Sequence, residues 1–298
     1  MTTERRSPRS VDIDLFPTKR ILKLINSEDA QVTGVIASAI PDIAAAVDLA
    51  VETIRSGGRV LYVGAGTSGR IAILDAAECP ATFGVSPKMI QAVIAGGPRA
   101  FAKAAEGSED DRDKPVADLK LKKLSKRDAV IGISASGRTP YTLAALEYAK
   151  GIDCKTVAIV CAPDSPMARV AGMAICTAVG PEIIAGSTRM KAGTSQKLIL
   201  NMISTATMIR LGTTYSNWMI NVAMTNQKLR ERGIQILRDI LGVNAKEAAR
   251  LADKSGNNLK IAVIMGTLAC SRNEAEKRLA AADGNLRQVL RHAGSGSE

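Results

Sequence analysis

The pattern of apolar and polar positions changes character twice along the chain. From Pro41 to Ile54, apolar residues recur at helical spacing (Ile43, Ala46, Val47, Ala50, Val51, Ile54), and Ser56-Gly-Gly58 supplies a stop. Ahead of it, Ser27–Ala30 (SEDA) has the composition of a helix N-cap, and residues 1–17 are polar and irregular, which predicts an arm. Beyond Gly58 the pattern becomes a series of short, near-continuous apolar runs at 60–63, 91–95, 128–133, 155–160 and 173–177. Helical stretches over roughly 68–77, 99–106 and 140–150 fall between them. Strands that are apolar throughout, interleaved with helices, predict an α/β fold with a parallel sheet covered on both faces. One long helix is predicted from Thr188 to about Leu211, and everything after it reads as helical. A short repeat at an offset of 27 residues pairs Glu247-Ala248 with Glu274-Ala275 and Asn258-Leu-Lys260 with Asn285-Leu-Arg287. It predicts two similar helical pairs in a small C-terminal bundle, followed by a flexible tail at Gly294–Glu298.

Two glycine- and hydroxyl-rich loops stand where apolar runs give way to helices: Gly64–Arg70 (GAGTSGR) and Gly132–Thr139 (GISASGRT). Backbone N–H groups at a helix start have no partner inside the helix, and the helix dipole favours an anion there. Both loops would lie at the carboxyl ends of strands, where ligands bind in open parallel sheets. Gly64, Gly66 and Gly69 match a dinucleotide fingerprint in spacing, but the run at 91–95 ends in Gly96-Gly97 and not in the expected acidic residue. The hydroxyls of Thr67 and Ser68 favour a monophosphate or a sugar over a dinucleotide. In the second loop, Ser134, Ser136 and Thr139 surround Gly137. One hydroxyl would cap the helix, so three favour a ligand. A third segment, Gly186–Thr194 (GSTRMKAGT), adds Arg189 and Lys191; as a ligand wall or as an ordinary capped helix start it stands level. Among carboxylates, Glu78, Glu109, Asp75 and Glu182 are equal candidates by residue type alone.

Composition narrows the chemistry. The net charge of +11 is spread along the chain, so it fits a solvated basic surface as well as an anionic substrate. Aromatic residues make up 3% of the chain, which argues against a stacking platform for single strands. The five cysteines lack metal-ligand spacing and the single histidine is His292, which argues against a zinc site or a histidine-based triad. Reduced thiols fit the cytoplasm. The first residues lack the apolar core of a signal peptide, and no run approaches the 18 or so apolar residues of a membrane span.

The motifs GAGTSGR, LDAAECPATFG, AEGSEDD, GISASGRTPY and GSTRMKAGTSQK occur in this order from Gly64 to Lys197. Together they resemble the N-acetylmuramic acid 6-phosphate etherases of the sugar isomerase (SIS) domain group, and the resemblance runs from about Thr3 to the C-terminal helices. The glucokinase regulatory protein shares part of the pattern in a larger chain with a second such domain. The N-terminal run Arg5–Ser10 departs somewhat from the family's. The resemblance implies a flavodoxin-like, five-stranded parallel sheet with helices on both faces. It implies an N-terminal helical arm (1–54), a sugar-phosphate-binding domain (55–222) and a C-terminal helical domain (223–298). It further implies cleavage of the D-lactyl ether at C3 of N-acetylmuramic acid 6-phosphate, giving N-acetylglucosamine 6-phosphate and D-lactate in amino-sugar recycling.

In that chemistry an open-chain aldehyde makes the C2 proton acidic, a carboxylate removes it, and a second carboxyl protonates the departing lactate. The resemblance assigns these roles to Glu109 as base and Glu78 as acid. The substrate-binding set it implies is Thr67, Ser68, Gly69, Ser134, Ser136, Gly137, Thr139 and Lys191. No metal or redox cofactor is expected. A homodimer is expected, with neither nucleic acid nor a membrane as partner. Two other functions share the pattern: an aldose–ketose isomerase, and a non-catalytic sugar-phosphate sensor that regulates a partner.

Overall fold

The computed structural model describes residues 4–294 except Ala104, Glu106, Ala223 and Thr225, with the side chains of residues 292–294 also left aside. Glu106 of the acidic stretch, the His292 side chain, the first residues of the arm and the tail beyond Gly294 therefore lie outside the described residues. Two compact units divide the chain: residues 1–77 with 87–205, and residues 78–86 with 206–298.

The first unit is built on a sheet. Helices α1 (Thr18–Ser38) and α2 (Ile40–Arg55) precede β1 (Val60–Gly64), and α3 (Gly66–Phe83) starts in this unit and ends in the other. Then come β2 (Ile90–Ile94), α4 (Lys114–Leu121), β3 (Ala129–Ser134), α5 (Pro140–Gly151), β4 (Lys155–Val160), α6 (Pro166–Val170), β5 (Met173–Cys176) and α7 (Lys191–Arg210). The strands run parallel in the order β2-β1-β3-β4-β5, with Val60 aligned on both Ile90 and Ala129. Every residue of β1 and β3 is buried, which is why both read as unbroken apolar runs. A core of Leu61, Val63, Val130, Tyr141, Leu146, Ala158 and Val160 fills the space between sheet and helices. After β2 the chain crosses back over β1 to β3, so strand order reverses between β1 and β3. Both glycine-rich loops leave the sheet at that reversal, where α/β sheets hold ligands.

Three helices differ from expectation for local reasons. Ser27 does not cap a helix: α1 already begins at Thr18, because Ile21, Leu24, Ile25, Val32 and Ile36 keep helical spacing straight through it. The Ser27 hydroxyl instead donates to the Leu24 carbonyl one turn back. Residues 98–101 form only a short 3-10 turn, and the helix of this connection is α4. Its start is marked by Asp111, whose carboxylate accepts from the amides of Asp113 and Lys114, both at 2.9 Å. Helix α3 continues past Pro80 to Phe83, since a proline removes one backbone donor without forbidding the turns that follow.

The second unit is helical: α8 (Gln227–Leu241), α9 (Ala245–Lys254), α10 (Leu259–Leu268), α11 (Arg272–Ala281) and α12 (Leu286–Gly294). The 27-residue repeat is real in three dimensions. Asn244 and Ser271 cap α9 and α11; Asn258 and Asn285 accept from Ile261 and Gln288 at the starts of α10 and α12. Ala248 and Ala275 are both fully buried, and the left-handed residues Gly256-Asn257 recur as Asp283-Gly284. Residues 78–86 belong to this unit because Asn221 holds them. Its Nδ2 donates to the Phe83 and Gly84 carbonyls at 2.8 and 3.1 Å. Gly84 sits at φ +59°, and a Cβ there would lie 1.9 Å from the Asn221 carbonyl oxygen. With residues 78–86, this compact unit takes in the chain from 206 onward, inside α7.

Candidate functional site

The β3–α5 loop is organised by its own hydroxyls. Ser134, buried at the end of β3, accepts from the Gly137 amide at 3.1 Å and shares a 2.8 Å hydrogen bond with Thr139 Oγ1. Ser136 Oγ accepts from the Arg138 amide at 3.2 Å. Gly137 takes φ +62°, and a Cβ on it would lie 2.2 Å from Ser165 Oγ, so only glycine fits this turn. Thr139 stands at the N-cap of α5 with Pro140 behind it, and its hydroxyl faces Ser134 and not the helix amides. The loop thus presents half-exposed Ser136 and Thr139 beside the free end of a helix.

The β1–α3 loop lies across from it. Gly66, Thr67 and Ser68 form the first turn of α3, whose amides have no acceptor within the helix. Together the loops frame a cavity of about 460 Å3, within the usual range for small-molecule sites. Thr67, Ser68, Ser134, Ser136 and Thr139 line it, with Glu109 on the connection between β2 and α4. Glu109 is held there by its carbonyl, which accepts from the Tyr141 amide at 2.9 Å and ties the connection to the first turn of α5. Tyr141 is in turn fixed by its hydroxyl, which donates to Asp118 at 2.7 Å. A smaller cavity of about 170 Å3 shares Ala65, Gly66 and Glu109. Among the described residues Arg138 is the one basic group on the larger cavity's wall, and Glu4, Asp110, Gly186 and Thr188 complete it. Glu4 arrives from the N-terminal arm, anchored by Ser10 donating to the Ile183 carbonyl at 2.7 Å. Sequence carried no signal for Glu4, because its place depends on where an irregular arm folds back.

Six of the sequence-derived site residues therefore meet in one cavity: Thr67, Ser68, Glu109, Ser134, Ser136 and Thr139. Gly69 and Gly137 lie behind the wall, Gly69 packed on Ile94 and Gly137 on Ser165. Lys191 is elsewhere. It is 3% exposed, and its Nζ donates to Glu28 Oε2 at 2.5 Å, while Arg9 donates to the other oxygen at 2.6 Å. Glu78 is exposed on α3 and does not line the cavity. Its stretch, residues 78–86, belongs to the second compact unit.

The rival carboxylates have structural work. Glu182 is fully buried and accepts from the Lys191 and Ala192 amides at 3.1 and 2.9 Å, capping α7. Asp75 accepts from Asn201 at 2.6 Å and Ser204 at 3.0 Å, joining α3 to α7. Burial pushes its carboxyl above the usual range, with those hydrogen bonds pulling the other way.

A five-stranded parallel sheet with hydroxyl-lined loops at its switch point defines a SIS-type sugar-phosphate fold. Residues 113–206 match the SIS domain family, and residues 42–150 match the glucokinase regulatory protein N-terminal SIS domain. The solved structure of the E. coli CFT073 protein c3406 has the same fold, with a TM-score of 0.50 at 19% identity, covering 68% of this chain and 97% of that one. N-acetylmuramic acid 6-phosphate etherase from Salmonella dublin is 44% identical over 292 residues, covering 98% of both chains. The same enzyme from Geobacillus thermodenitrificans is 45% identical over 290 residues, covering 97% of this chain and 98% of that one. The chain belongs to the N-acetylmuramic acid 6-phosphate etherase family.

Proposed function

We propose that the protein cleaves the D-lactyl ether of N-acetylmuramic acid 6-phosphate, releasing D-lactate and N-acetylglucosamine 6-phosphate. The observation that carries this reading is the convergence of Ser134, Ser136, Thr139 and Ser68 with the carboxylate of Glu109 in a single cavity at the strand-order reversal. The hydroxyls and the free amides of the α3 turn hold the phosphate; that remote grip orients the sugar carbons. In the open-chain aldehyde, Glu109 takes the proton from C2. The electron pair moves to form the C2–C3 double bond, the C3–O bond breaks, and the lactate oxygen leaves with a proton from a second carboxyl. Water then adds at C3 of the unsaturated aldehyde and the C2 proton is restored.

The second carboxyl is Glu78. This reading places it in the cavity of a second copy, in a cytoplasmic homodimer. The exposed position of Glu78 supports that arrangement.

The test is D-lactate release from N-acetylmuramic acid 6-phosphate by the purified protein, with no metal added. Lactate equimolar with N-acetylglucosamine 6-phosphate is expected. Bound sugar phosphate without lactate would favour the sensor, and aldose–ketose interconversion without lactate the isomerase. Glu109→Gln and Glu78→Gln should each lower turnover by roughly 10²- to 10⁴-fold, the usual worth of a general acid or base. Dimers formed from an equal mixture of the two inactive variants should recover about a quarter of wild-type activity, since half are hybrids with one intact site. No recovery would place both glutamates of a working site in one chain.

A further inference from the structure

The Ser68 hydroxyl has a buried neighbour that decides what it can do in the cavity. Helix α7 backs the first turn of α3: a Cβ on Gly193 would lie 3.4 Å from Thr67 Cγ2. One turn on, Gln196 is 1% exposed, and its Oε1 stands 2.9 Å from Ser68 Oγ. With the amide in that sense, Ser68 gives its only proton to Gln196 and offers the cavity lone pairs alone. The Gln196 Nε2, with two N–H donors, is then buried without a hydrogen-bond partner. Turning the amide by 180° exchanges two atoms of nearly equal size. Nε2 then donates to Ser68 Oγ, one orphaned donor is satisfied, and a carbonyl oxygen takes the buried place, the less costly atom to leave unpaired. The Ser68 proton becomes free to point into the cavity.

We propose that Gln196 is a positioning residue: by donating from Nε2 to Ser68 Oγ it makes the Ser68 hydroxyl a donor toward an anionic oxygen of the ligand. This rests on the reading of the cavity as a sugar-phosphate site. Gln196 touches no ligand itself and acts only through Ser68.

The experiment is titration calorimetry of N-acetylglucosamine 6-phosphate with wild type, Gln196→Met, Gln196→Glu, Ser68→Ala and the two doubles. Gln196→Met keeps the volume and loses the donor. Gln196→Glu in its carboxylate form has acceptors only, so it takes the Ser68 proton and withdraws it from the cavity. Both should weaken binding, Gln196→Glu by roughly 10- to 100-fold, the worth of a hydrogen bond to a charged group. In the Ser68→Ala background both should change affinity by less than about twofold, because the residue they act through is gone. A purely structural Gln196 would weaken binding equally in both backgrounds, which would overturn the inference. Unchanged affinity of Gln196→Met and Gln196→Glu in wild-type background would overturn it as well. Absence of binding by the wild type would overturn the sugar-phosphate reading itself, and the inference with it.

Discussion

Lys191 is the position where sequence motif and structure part most sharply, and substituting it separates the two. It lies in the GSTRMKAGT segment, which reads equally as a ligand wall or as an ordinary capped helix start, and its ammonium is buried and paired with Glu28. Removing one member of a buried ion pair costs about 3–5 kcal/mol, because the other charge is left without compensation. Two features lower that figure for Lys191→Met. Arg9, half exposed at 50%, keeps its contact with the other oxygen of Glu28. Lys191 is also the first residue of α7, where the helix dipole disfavours a cation by about 0.3–1 kcal/mol, so its removal recovers that amount. The expected net loss is about 2–4 kcal/mol. For a unit of this size it corresponds to a fall of roughly 5–15 °C in the thermal midpoint, followed by circular dichroism. Affinity for N-acetylglucosamine 6-phosphate should stay within about twofold. Adding Glu28→Leu to Lys191→Met should return much of the lost stability, since both charges are then gone from the interior. A variant that melts with the wild type but binds ten times more weakly would refute this assignment and return Lys191 to the cavity.

Gly137→Ala should destabilise by about 2–5 kcal/mol, combining a left-handed backbone at φ +62° with a Cβ set 2.2 Å from Ser165 Oγ; urea unfolding within 0.5 kcal/mol of wild type would show that the turn relaxes freely. Asp128 accepts from the Arg59 side chain and amide and from the Ser125 amide and hydroxyl. Burial raises its pKa, but these hydrogen bonds outweigh it, and the Arg59 guanidinium beside it holds the carboxyl below the usual range. A depressed folded pKa contributes stability above the unfolded value, near 3.9, that is lost as pH falls through the folded value. Asp128→Asn should therefore be less stable by about 1.5–3 kcal/mol at pH 7, with the gap closing below about pH 4; a gap independent of pH would show that its cause is not the charge.

What was legible in the chain was what local chemistry fixes. The strands showed because a sheet covered on both faces buries every residue of β1 and β3, and the two loops showed because each carries its glycines and hydroxyls within a few positions. The 27-residue repeat was legible for the same reason: a cap such as Asn258 acts on Ile261, three residues away. What escaped was settled across long separations. Whether Lys191 meets a ligand or Glu28 depends on a contact spanning 163 residues, and no property of the GSTRMKAGT segment encodes it. Glu182 and Asp75 looked like catalytic carboxylates by type alone; they became structural only when Ala192 and Asn201 arrived to donate to them. Glu4 enters the cavity from a segment with no periodicity at all. Glu109 is positioned by a backbone hydrogen bond from Tyr141, so its place follows from the connection between β2 and α4 packing on α5. Glu78 is exposed, in the stretch 78–86 that belongs to the second compact unit. Under the proposed mechanism the two meet between two copies, because a twofold axis that brings one Glu78 to the partner's cavity necessarily does so twice.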